Sequence, residues 1–178
     1  MKRKVASVFA PCFLLMASSL SQAANDVPAT LSITGKVQNS NEVCTIALSN
    51  SFLQLKQKDI EALPAQTMSP EDAKALDSVH VMINRETCSS DGMALSFLGT
   101  ADDSDRYVFA NTQTGSAAAY GVGIALYDFG GEAITPNVSQ RRTLTDDYAI
   151  HVGMVKINNK TPMPGLVQTT LTIQLDKI

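Results

Sequence analysis

The chain has 178 residues, with 17 acidic and 14 basic side chains, and its one dense positive cluster, Lys2, Arg3 and Lys4, lies at the very start. That length fits one ordinary domain or at most a small pair. The acidic balance excludes nucleic acid and anionic membrane surfaces as partners, because both call for a basic patch.

The basic opening runs into "VASVFAPCFLLMASSL" and then into the small residues of "SQAA". That order is a secretory signal, with Ser21 and Ala23 in the two small-residue positions, so residues 1–23 are expected to be removed. A membrane anchor is the alternative, but the run is short of the roughly 20 residues that a span takes. Removal leaves 155 residues carrying 11 basic against 17 acidic side chains, a net charge near −6. It also removes Cys12 and leaves Cys44 and Cys88. Two cysteines in an exported chain point to a disulfide, with free buried thiols as the alternative. Closing a loop of this length would stabilise the fold by roughly 4 kcal/mol in the chain-entropy account.

After a leader "ANDVPAT", the segment "TLSITGKV" alternates, with Leu31, Ile33, Gly35 and Val37 in one row and Thr30, Ser32, Thr34 and Lys36 in the other. That is the pattern of a half-buried strand. Strands are expected over 31–38 and 42–48, followed by a short alternating piece with Phe52, Leu53 and Leu55. "SPEDAKALDS" is the one convincing helix: Ser69 can cap it, Pro70 suits its first position, and Asp72 stands where a capping box places an acid. Further strands are expected over 78–86, 93–100 and 106–111. "GVGIALYDFGGEAIT" reads as a strand, a glycine turn and a return strand. In the long strand "TDDYAIHVGMVKIN", Tyr148, Ile150, Val152, Met154 and Lys156 share a face, and in the final strand Leu171, Ile173 and Leu175 do. The loops 102–106 and 137–147 are expected to face solvent. Short strands between turn signals, with almost no helix, imply an all-β antiparallel sandwich in one domain.

Little in the chain suggests chemistry. His80 and His151 sit in strands without a nucleophile motif beside either. Asp102, Asp103 and Asp105 lack the central glycine and distal glutamate of a calcium loop. Gly121-x-Gly123 is a lone pair without the third glycine and helix that phosphate binding needs. No enzyme activity, metal or cofactor is expected.

"ITGKVQNSNEVCTI", "ALSFLGTADD", "GVGIALYDFGGEAIT" and the final alternating strand, in this order and with this spacing of Cys44 and Cys88, resemble the chaperone–usher fimbrial subunits of the type 1 pilin kind. The resemblance implies an immunoglobulin-like sandwich that lacks its final strand, with an N-terminal donor-strand extension over 24–36 and a pilin domain over 37–178. It implies a rod or adaptor subunit of a surface fimbria that supports cell adhesion. Its partners would be neighbouring pilin subunits in a head-to-tail polymer, a periplasmic chaperone and an outer-membrane usher. The donor row would be Val27, Ala29, Leu31, Ile33 and Gly35, with Pro28 removing one backbone donor from its start. Leu171, Ile173 and Leu175 would line the groove and meet the chaperone. Lys177 stands where many such subunits carry a tyrosine, so "DKI" is expected to overhang. The alternative is a self-complete secreted sandwich, with "TLSITGKV" as its own first strand, binding a carbohydrate or protein ligand.

Overall fold

A computed structural model describes residues 26–37, 45–84, 92–143 and 145–178, and in the first stretch the side chains of 29–35. The expected signal peptide, Cys44 and Cys88 lie outside the described residues.

The elements in chain order are β1 (Asp26–Val37), β2 (Thr45–Leu48), β3 (Phe52–Asp59), α1 (Pro70–Lys74), β4 (Asp77–Asn84), β5 (Met93–Gly99), β6 (Val122–Tyr127), β7 (Ala133–Ile134), β8 (Gln140–Arg142), β9 (Asp147–Lys156) and β10 (Val167–Lys177). They form two sheets, ordered β3-β1-β10-β5-β8 and β2-β4-β9-β6-β7. The molecule is an all-β sandwich. Its core is the set of inward rows that the alternation marked: Tyr148, Ile150, Val152 and Met154 of β9 meet Leu171, Ile173 and Leu175 of β10, all buried. Burying such side chains stabilises by roughly 1.5–3 kcal/mol each, which is why a period-2 pattern fixes the sheet faces.

α1 is shorter than "SPEDAKALDS" but begins as its capping signal predicts. The Ser69 hydroxyl accepts from the Asp72 backbone N–H at 3.2 Å and donates to the Asp72 carboxylate at 2.7 Å. The helix, with the loops around Met68 and Val108, covers part of the outer face of β6 and β9 through Ala73, Ala125, Tyr127, Val155 and Ile157.

Several expectations are corrected. Residues 106–111 form no strand. Phe109 alone bridges, to Ala101 and Ile124, between turns tied by the Asp102 and Asp105 side chains. The loops 102–106 and 137–147 are not simply solvated: Asp102 and Asp105 are buried, and 140–142 pair with β5 as an edge strand. "DKI" does not overhang either. β10 continues through Lys177, which pairs with Met93, and the Ile178 N–H donates to the Gly92 carbonyl at 2.6 Å.

Candidate assembly site: the slot between β3 and β10

β3 and β10 stand two places apart in their sheet and run in opposite directions, and β1 fills the space between them. Any strand in that slot must lie parallel to one wall and antiparallel to the other. β1 is antiparallel to β3 and parallel to β10, from Ala29 opposite Val167 to Val37 opposite Leu175. This is the one parallel strand pair among the described elements, and it departs from a purely antiparallel sandwich.

The inward row of β1 is Ala29, Leu31 and Ile33, exposed by 1%, 0% and 2%. These three side chains join the core beside Leu55 of β3, Leu171 and Ile173 of β10, and Val79 and Val81 of β4 in the facing sheet. Gly35 follows in the same row. A Cβ there would lie 3.1 Å from Cδ1 of Ile46, so a side chain would need Ile46 to give way. At the other end the β1–β3 register shifts between Val27 and Ala29, around Pro28, which has no N–H to offer a ladder. Val27 pairs through its backbone with Lys58. The outward row is polar, and Thr34 and Thr172, register partners across β1 and β10, bond hydroxyl to hydroxyl at 3.0 Å.

The inward row of β10 begins earlier than Leu171. Val167 and Thr169 are buried with Leu171, Ile173 and Leu175, and Thr169 is 0% exposed. The alternation of "VQTTLTIQL" already contained this, but a threonine in the apolar row reads as a break rather than a member. The second wall, Leu53 and Leu55, was legible as alternation but gave no sign of which strand it faced. The Thr169 hydroxyl has no hydrogen-bond partner among the described residues.

Of the side chains that could have carried chemistry, His80 and Asp102 are paired, whereas His151 Nδ1 is buried without a hydrogen-bond partner among the described residues. His80 Nδ1 lies 2.9 and 3.0 Å from the Asp147 carboxylate oxygens, in a surface cleft with Phe129, Arg142, Thr145 and Tyr148. The Thr145 hydroxyl there donates to the Asp147 carbonyl at 2.7 Å. His151 is held below its usual range, first by burial and then by the Lys74 charge. Asp102 is bound by Lys160 at 2.7 Å and by Ser104. Among the described residues no cluster of His, Cys, Asp and Glu could hold a metal ion. None of the described helices is long and apolar enough to cross a membrane.

The family model described as fimbrial protein matches residues 31–176. Among solved structures, the P pilus rod subunit PapA aligns at 11% identity and a TM-score of 0.47, covering 78% of this chain and 94% of that one. The CupB6 tip adhesin from Pseudomonas aeruginosa aligns at 8% identity and a TM-score of 0.37, covering 82% of this chain and 39% of that one. No curated protein matches by sequence. The chain belongs to the fimbrial protein family and is a structural component of extracellular pili rather than an enzyme.

Proposed function

We propose that the chain is a rod or adaptor subunit that polymerises by strand exchange, its leader filling the slot of the next subunit. Residues 24–36 would be the donor extension, with Val27, Ala29, Leu31, Ile33 and Gly35 as its row, and 37–178 the pilin domain whose Leu171, Ile173 and Leu175 line the slot. The observation that carries this reading is the slot itself. Two edge-like walls, β3 and β10, are joined by a strand from the chain's far end, which adds a ladder on each side and an apolar row beneath. Backbone bonds to both walls and alternate side chains in pockets are the ingredients of strand addition. A head-to-tail contact of this kind does not close, and so builds a fibre.

The same physics calls for partners. A leader tethered to its own slot acts as a ligand at roughly millimolar effective concentration. A periplasmic chaperone that holds the slot until an outer-membrane usher presents the next leader would remove that competition. A disulfide between Cys44 and Cys88 would constrain the chain beside the leader.

The packing of β1 in its own slot also favours a second reading, a self-complete sandwich that serves as a binding module. One experiment separates the two. Ile33→Asp places a carboxylate in the buried row and expels the leader, and the variant is melted with and without a peptide of residues 24–38. A large upward shift with peptide, together with loss of polymer formation by the variant, supports exchange. A melt indifferent to peptide makes β1 an integral strand and moves the binding module ahead.

A further inference from the structure

Thr169 is a hydroxyl in the wrong place for the strand that now lies beside it. It is fully buried, it sits in the slot-lining row between Val167 and Leu171, and its Oγ1 has no hydrogen-bond partner among the described residues. Its register partner on β1 is Leu31, which has nothing to offer it. A buried hydroxyl without a partner is a liability that a valine of the same shape would avoid.

No placement of the chain's own leader relieves this with a side chain. The inward row is Ala29, Leu31, Ile33 and Gly35 whichever way the strand runs, because reversal preserves the alternation. A slip by one residue would bring Thr30, Ser32 and Thr34 inward, but would turn Leu31 and Ile33 out to solvent. A threonine in the row would suffice. On the outer face of these same two strands, Thr34 and Thr172 are register partners and bond at 3.0 Å.

We propose that Thr169 is a specificity determinant of the slot. It selects a donor strand from a different subunit, one whose apolar row carries a hydroxyl or amide side chain at the position facing Thr169, over the leader of a second copy of this chain. This rests on the strand-exchange reading above and names its partner by chemistry. The chain would then precede a unlike neighbour in the fibre.

The first test uses the intact chain. Leu31→Thr and Thr169→Val are made singly and together, and unfolding equilibria are measured. The expected result is that Leu31→Thr weakens folding about fivefold less beside Thr169 than in the Thr169→Val background. Equal losses in the two backgrounds overturn the proposal. The second test offers fluorescent peptides of residues 25–37, either parent or carrying Ala29→Thr, Leu31→Thr or Ile33→Thr, to the full chain carrying Ile33→Asp, whose own leader no longer fills the slot. One threonine peptide is expected to be captured about fivefold better than the parent, and to lose that advantage when Thr169→Val is added to that chain. Capture of the parent as well as any variant, as when a water beside Ala29 or Gly35 satisfies Thr169, overturns the proposal and makes a second copy the donor. Capture of no peptide at all removes strand exchange itself, and this selectivity with it.

Discussion

Asp102 is buried and yet ionised. Burial raises its carboxyl, but Lys160, the Ser104 hydroxyl and the backbone N–H groups of Ser104 and Asp105 outweigh it and hold the carboxyl below its ordinary value. A carboxyl depressed in the folded state adds stability that is present above the ordinary carboxylate value of 3.8 and is lost as pH falls through the folded one. Lys160→Met is therefore expected to destabilise at neutral pH by about 1–3 kcal/mol and to flatten the loss of stability below pH about 4. Chemical unfolding at neutral and acid pH checks both, and an unchanged acid limb would exclude Asp102 as its source. None of this was legible in "ADDSD". The sequence shows three acids in a turn, whereas the partners that bury two of them, Lys160 and Asn158, lie 58 and 53 residues away.

At the scale of the element, the glycine turn after β6 carries more than a change of direction. Gly131 has φ +86°, and a Cβ there would meet the Pro70 Cα and carbonyl at 2.5 Å, so the turn is the seat on which the start of α1 rests. Gly131→Ala is expected to cost about 2 kcal/mol or more, from backbone strain and from lifting α1 off the sheet. At Gly130 a Cβ would meet only the Asp128 carboxylate oxygen at 3.1 Å, so Gly130→Ala should cost much less. Thermal melts of the two variants check this, and equal losses would mean that the turn is not α1's seat. Inward rows were readable from alternation in β9 and β10, since each row buries against the facing sheet. The covered outer face was not. Period 2 assigns Ala125, Tyr127 and Val155 to solvent, and only the return of α1 and of the loops around Met68 and Val108 buries them. Strands as short as β7 and β8 have no period to read.

For the whole molecule, the proposed strand exchange turns on a competition between a leader in its own slot and a leader in another's. The alternation of "TLSITGKV" exposed the strand, and its place before Cys44, in order with the later segments, exposed the family likeness. Neither could say where the strand packs, because the same buried row serves both arrangements. The physical difference is one of concentration. The leader runs antiparallel to β3 and rejoins it through residues 38–51, so intramolecular filling is favoured until other leaders approach roughly millimolar concentration. Refolding from denaturant at micromolar concentration is thus expected to give monomers, and refolding near millimolar to give a length distribution of polymers, read by light scattering. Ile33→Asp should remain short at both concentrations and cap the polymers when mixed with the parent chain, since it keeps an open slot but offers no usable row. Monomers at every concentration, with no capping in the mixture, would mean that β1 never leaves the slot in which it folds.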